Sequence, residues 1–167
     1  DCTLSLADFV APENDYIGTF AVTSGNTIEQ IIERYRDDGD DYHALLLRTV
    51  ADRLAEAATE LMHRFVAGQY WGYGSRGTGI GIRPAIGYPS LPDQSLIFDI
   101  DRLMPLAPVG IHLTENGAMS PASGTCGLII AHPQSRYFMV GAIGDDQRND
   151  YAVRRGMNVE DLRKWLR

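Results

Sequence analysis

The chain has 167 residues, of which 44% are apolar and 22% charged, and a formal net charge of −7. That is the size and composition of one folded domain with a real core. Apolar runs such as Leu45 to Leu47 and Leu128 to Ala131 fall far short of the roughly 20 residues needed to cross a membrane, and an acidic chain is poorly suited to binding nucleic acid.

Asp1 to Asp8 carries no basic segment or long apolar stretch, so no signal peptide is expected. Asp15 to Ser24 is rich in aromatic and β-branched residues and predicts a strand, ended by Gly25 and Asn26. Thr27-Ile-Glu-Gln30 matches a capping box, so a helix is expected with Ile28, Ile31, Ile32 and Tyr35 on one face. The acidic run Asp37 to Asp41 breaks it, and its last acids suit the start of another helix.

From Asp41 to Val66 there is no Gly or Pro, and apolar residues recur with helical spacing at Leu46, Val50, Leu54, Ala57, Ala58, Leu61, Met62 and Phe65. Gly68 is the expected C-terminal cap. Residues 70 to 92 interleave glycines with aromatics and prolines and read as a loop, where binding groups tend to collect.

A short helix is expected from Pro92-Asp93 to about Met104. Strands are expected at 110–115 and 127–131, flanking a Gly/Ser/Pro loop, and at 137–143. Helices at 146–155 and 159–166 close the chain, the last capped by Asn158. With no repeat and no long linker, the expected fold is a single α+β domain, with a mostly antiparallel twisted sheet and flanking helices.

Cys2 and Cys126 are far apart and form no C-x-x-C pair, which points to a reducing, cytoplasmic setting without a zinc site. Between Gln147 and Arg167 six cations face three anions, a tail of +3. Solvated helix faces explain it most simply, and a docking patch for an acidic partner is the alternative.

Several motif-like strings carry little. Gly77-Thr-Gly79-Ile-Gly81 is followed by Ile82 rather than the glycine or alanine of a dinucleotide loop. His43, His63, His112 and His132 lack the spacing of a helical metal site and read as surface or hydrogen-bonded structural residues. No metal site and no catalytic acid, base or nucleophile is expected.

The informative string is Arg83-Pro-Ala-Ile-Gly87-Tyr88-Pro-Ser-Leu-Pro92. Arg83 offers a planar fork for a carboxylate. The prolines stiffen the backbone, Gly87 permits close approach, and Tyr88 supplies a ring and a hydroxyl. A proline-stiffened surface turn fits the same residues equally well.

R-x-x-x-G-Y followed by a proline-flanked turn resembles the S-adenosylmethionine-binding motif of the activation domain of cobalamin-dependent methionine synthase. Further strings resemble that family in the same order, among them Ala7 to Pro12, Asp15-Tyr-Ile-Gly18, Asp52-Arg-Leu-Ala-Glu-Ala57, Trp71-Gly-Tyr73, His132-Pro133, Ser135-Arg-Tyr-Phe138 and Asp150-Tyr-Ala152. The resemblance implies that Arg83 binds the ligand's methionine carboxylate. Ala85, Gly87 and Tyr88 would line the same site, with Glu56, Tyr137 and Phe138 contributing from elsewhere. For Glu56 an ordinary helical pair with Arg53 is the alternative.

The family's domain is longer and includes an earlier segment bearing an aspartate that touches the ligand. Residues 1–167 would therefore be the C-terminal portion of one activation domain, part of a methyltransferase. The implied function is binding S-adenosylmethionine and supporting reductive remethylation of cob(II)alamin, so reactivating 5-methyltetrahydrofolate–homocysteine methyltransferase. Cobalamin would be held by a neighbouring domain or partner, and the electron would come from flavodoxin or a similar flavoprotein. The alternatives are a docking module that recruits such a reductase, and a reactivator of another corrinoid methyltransferase.

Overall fold

A computed structural model describes residues 4–72 and 80–166. Cys2, Tyr73, Gly77 to Gly79 and Arg167 lie outside the described residues. After a short 3-10 turn at Leu6–Phe9 come strand β1 (Gly18–Thr23) and helices α1 (Asn26–Asp37) and α2 (Asp41–Phe65). Helix α3 (Leu96–Leu103), strands β2 (His112–Leu113), β3 (Met119–Ser120) and β4 (Gly124–Ile129), and helices α4 (Asp145–Arg155) and α5 (Val159–Trp165) follow. The α+β expectation holds. β1 pairs antiparallel with β4, Gly18 opposite Ile129 and Thr23 opposite Gly124, and β2 pairs antiparallel with β3. Among the described residues, no helix is long and apolar enough to cross a membrane.

The main core lies between β4, α3 and the turn after Arg83, where Ile86, Leu91, Ile97, Ile100, Leu106, Ile111 and Cys126 pack together. Burial there pushes the Cys126 thiol up to about 11. A second cluster joins Phe9 to Ile82 and Ile130, and a third joins α4 to α5 through Ala152, Leu162 and Leu166.

Several local expectations are corrected. α1 begins at Asn26, not inside a capping box. Ser24 bonds through its hydroxyl to Ser123 O, and Gly25 turns at φ 91°, a conformation open to glycine, so the helix starts before Thr27 can cap it. Its expected apolar face is the one that packs, with Ile32 fully buried. Asp40 caps α2, accepting from the His43 amide at 3.1 Å. Gly68 does not end α2: the helix widens into a π-helical turn, Val66–Tyr70, and the left-handed glycine is Gly72.

Residues 137–143 are not a strand. They run over the surface, tethered by the Tyr137 hydroxyl to the Arg83 amide and by the Val140 amide to Pro89 O. α3 starts at Leu96, because the buried Asp93 folds the chain before it into a turn, accepting from the Ser95 amide and hydroxyl.

α2 sits on the sheet through small side chains. Ala44, Ala51, Ala55 and Thr59 are buried, whereas Leu46, Val50, Leu54, Leu61 and Phe65 of the apolar series face outward. The C-terminal cations are neutralised locally. Arg148, Arg154, Arg163 and Lys164 each pair with an acid three or four residues away. Arg155 turns inward to Asp99 at 2.7 Å and to Asp93, which also accepts from the Tyr151 hydroxyl at 2.8 Å. Among the described residues, this tail is therefore a set of paired helix faces.

One ion pair locks α1 to α2. Arg48 binds Glu29 with both terminal nitrogens and reaches the buried Ser123 hydroxyl at 3.1 Å. The Arg48 hydrogen bonds hold the Glu29 carboxyl below its ordinary value, against the upward push of partial burial. A depressed carboxylate stabilises the fold above its unfolded pKa, and that contribution is lost as pH falls through the folded value. Glu29→Gln should therefore cost about 1 to 2 kcal/mol at pH 7. In urea titrations, its deficit against wild type should shrink below pH 4.5; an equal deficit at pH 7 and pH 3 would contradict this.

Candidate functional site

β4 carries the site. On the side away from β1, residues 82–86 run antiparallel to it. The Ile82 amide bonds to Ile130 O and the Ile130 amide to Ile82 O, at 3.0 and 2.9 Å. The Leu128 amide donates to Pro84 O at 3.0 Å, and the Ile86 amide to Cys126 O at 3.0 Å. Side chains alternate accordingly: Ile82, Pro84 and Ile86 point into the core, leaving Arg83 and Ala85 on the other face.

Two glycines permit this approach. A Cβ on Gly127 would lie 2.2 Å from Pro84 O and 2.8 Å from Ala85 Cα. Gly81, at φ 82°, leaves similarly little room beside Ile130 O and Trp71.

The turn that follows closes through the Gly87 amide on Leu91 O at 2.9 Å and the Leu91 amide on Tyr88 O at 2.8 Å. Gly87 has φ 81°, and a Cβ there would meet the Gln94 side chain at 2.4 Å. Its glycine thus serves the turn that sets Ala85 and Tyr88, both lining the cleft, on either side of it. The tethered segment at 137–140 forms the outer wall.

The opposite wall comes from α2, whose residues 56, 59 and 60 lie on one helix face. Thr59 is buried and returns its hydroxyl to Ala55 O at 2.8 Å. Glu56 is exposed and lines the cleft, and among the described residues it has no hydrogen bond or ion pair; the alternative pairing with Arg53 is not formed. One turn on, Glu60 binds the Arg83 guanidinium at 2.8 Å and Arg64 at 3.0 Å. Partial burial pushes the Glu60 carboxyl up, but the Arg64 hydrogen bond and the charges of Arg83 and Arg64 outweigh it and hold it below its ordinary value.

Together these elements enclose a cleft of about 400 Å³, lined by Glu56, Arg83, Ala85, Tyr88, Tyr137 and Phe138, with Phe20 and Thr125 from the sheet. Such a volume suits a small organic ligand. The walls combine a guanidinium, an unpaired carboxylate, two tyrosine hydroxyls and apolar rings. That set can hold a zwitterionic amino-acid group at one end and a flat, apolar group at the other.

Sequence reading missed Glu60, whose signal was its place one helical turn beyond Glu56. It also missed Phe20, Thr125 and Met139, which reach the cleft only through tertiary packing. Three of the four histidines make structural contacts: His43 binds Asp40, the His132 ring accepts from the Gln134 amide, and the buried His63 holds Ile80 O at 3.1 Å.

Residues 1–156 match the family described as "Vitamin B12 dependent methionine synthase, activation domain". A solved structure, "Crystal Structure of the MetH Reactivation Domain bound to AdoHcy", is similar in fold with a TM-score of 0.88 and 39% sequence identity. The similarity covers 96% of this chain but 54% of that one, so this chain spans about half of the solved relative.

Because the Arg83 segment lies flat on Gly127, Gly127→Ala should force the two backbones apart. The expected cost is about 1 to 3 kcal/mol. Gly18→Ala, whose new Cβ would meet Ile129 Cβ at an ordinary 3.4 Å, should leave stability nearly unchanged. Thermal melts of the two variants distinguish these outcomes, and equal melting temperatures would refute the close-packing argument.

Proposed function

Since the chain belongs to the activation-domain family of vitamin B12-dependent methionine synthase, we propose that it binds S-adenosylmethionine in the cleft between α2 and the Arg83–Ser90 turn. In this reading it presents the methyl group to a corrinoid held by a neighbouring domain or partner. The observation that carries the reading is the convergence of Arg83, Glu56, Tyr88, Tyr137 and Phe138, from distant parts of the sequence, on one cleft.

In this reading Arg83 grips the methionine carboxylate. Glu60 occupies only part of the five-donor guanidinium fork and steadies its orientation. Glu56, with no partner of its own among the described residues, receives the ligand's ammonium. Tyr137 spends its acceptor on the Arg83 amide and keeps its proton free to donate. Tyr88 and Phe138 offer ring faces to the nucleoside part.

When bound, S-adenosylmethionine supplies an electrophilic methyl on a sulfonium whose departure leaves a neutral thioether. No side chain here must therefore take up a proton, and the contribution of the chain is orientation. In the wider cycle, the partners are the cobalamin-binding domain and a flavoprotein electron donor, and the activity restored is that of methionine synthase.

Titration calorimetry with S-adenosylmethionine and S-adenosylhomocysteine tests the reading. Arg83→Ala should weaken both by about 2 to 5 kcal/mol, the cost of stranding a carboxylate. Arg83→Lys should recover part of that loss, because a point charge replaces a planar fork. Wild-type binding that Arg83→Ala leaves unchanged would sink the assignment, as would no binding at all.

A further inference from the structure

Glu56, Glu60 and Arg64 follow one another at four-residue steps on α2, so they share one face of the helix. At that spacing Glu56 and Glu60 repel each other, whereas Glu60 and Arg64 attract, with the acid on the favourable N-terminal side. Both oxygens of the Glu60 carboxylate are engaged. Oε1 accepts from Arg64 Nε at 3.0 Å, and Oε2 meets Arg83 Nη2 at 2.8 Å. Arg64, Glu60 and Arg83 therefore form a chain of alternating charge that ends in the cleft.

This chain answers a conflict at Arg83. A ligand carboxylate arriving there finds the guanidinium already shared with Glu60, and two anions on one cation repel each other. Left alone, Glu60 would also turn both oxygens toward Arg83, because the planar fork takes a carboxylate through two parallel hydrogen bonds. The Arg64 bond withdraws one oxygen from that competition and offsets the charge of the carboxylate. It also draws Glu60 toward the C-terminal end of α2, away from Glu56. The simpler role for a cation at this place is to stabilise the last turn of the helix.

We propose that Arg64 is a positioning residue of the cleft, acting through Glu60 to keep the Arg83 fork open to the ligand's carboxylate. The inference rests on the S-adenosylmethionine reading above, and adds to it a control on how strongly Arg83 can hold that ligand.

A double-mutant cycle on this chain, read by titration calorimetry with S-adenosylhomocysteine, tests it. Arg64→Gln should weaken binding about two- to fivefold, the scale of one solvent-screened ion pair. Arg64→Lys keeps the charge and should retain most of the affinity. In a Glu60→Gln background, Arg64→Gln should change binding no further, because the group through which it acts has lost its charge. The Arg64→Gln loss should also shrink at high salt, since the Arg64 side chain is 60% exposed. A cation that only steadies the helix would lower the melting temperature without this coupling. The proposal is overturned if Arg64→Gln leaves affinity unchanged, or costs the same in both backgrounds. Either outcome leaves the ligand reading intact so long as Arg83→Ala weakens binding. Failure of the wild type to bind, or indifference to Arg83→Ala, sinks both.

Discussion

The close approach of residues 82–86 to β4 governs the molecule. It turns a two-stranded ribbon into a platform with a third, irregular edge, and it sorts side chains into two sets. Ile82, Pro84 and Ile86 enter the core, while Arg83 and Ala85 emerge into the cleft. Gly127 makes the contact possible, since any side chain there would occupy the space of Pro84 O. The cationic group is thus placed by backbone hydrogen bonds, which tolerate less movement than a side chain on a free loop.

The second constraint is the thinness of the inner face of α2. Alanines let the helix lie close to β1 and β4, and this brings Glu56 and Thr59 to the cleft and Glu60 to the Arg83 guanidinium. Larger residues on that face would hold the helix away and widen the gap between the Glu60 carboxylate and Arg83. The same rotation leaves the leucines outside. The polar wall of the cleft and the apolar outer stripe are therefore two consequences of one helix orientation.

Much of the local structure was legible. The absence of Gly and Pro from Asp41 to Val66 announces α2, Asn158 caps α5 as its side chain suggests, and the apolar face of α1 packs as its spacing implies. Errors arose where a neighbour outbid a local preference. Tyr137 to Ile143 has strand-like composition, but its hydrogen bonds to the cleft wall come from one hydroxyl and one amide, not a ladder. In α2 the bulkiest residues looked like the inner face, yet the sheet selected the smallest. Arg83 and Tyr88 stood out within one stiff local string, whereas Glu56 and Tyr137 were singled out only through resemblance to a family, because no local pattern joins residues so far apart.

The sequence by itself determined where chain direction can change and which segments can be helical, since glycine, proline, capping groups and apolar spacing act over a few residues. It also carried enough ordered motif to indicate the family. Tertiary structure alone decided which face of α2 is buried, that Glu60 rather than Glu56 binds Arg83, and that Tyr137 closes the cleft from 54 residues away. Those outcomes depend on competition between surfaces for the same space. Such competition is settled by volume and hydrogen-bond satisfaction across the whole fold, and leaves no short-range signature in the chain.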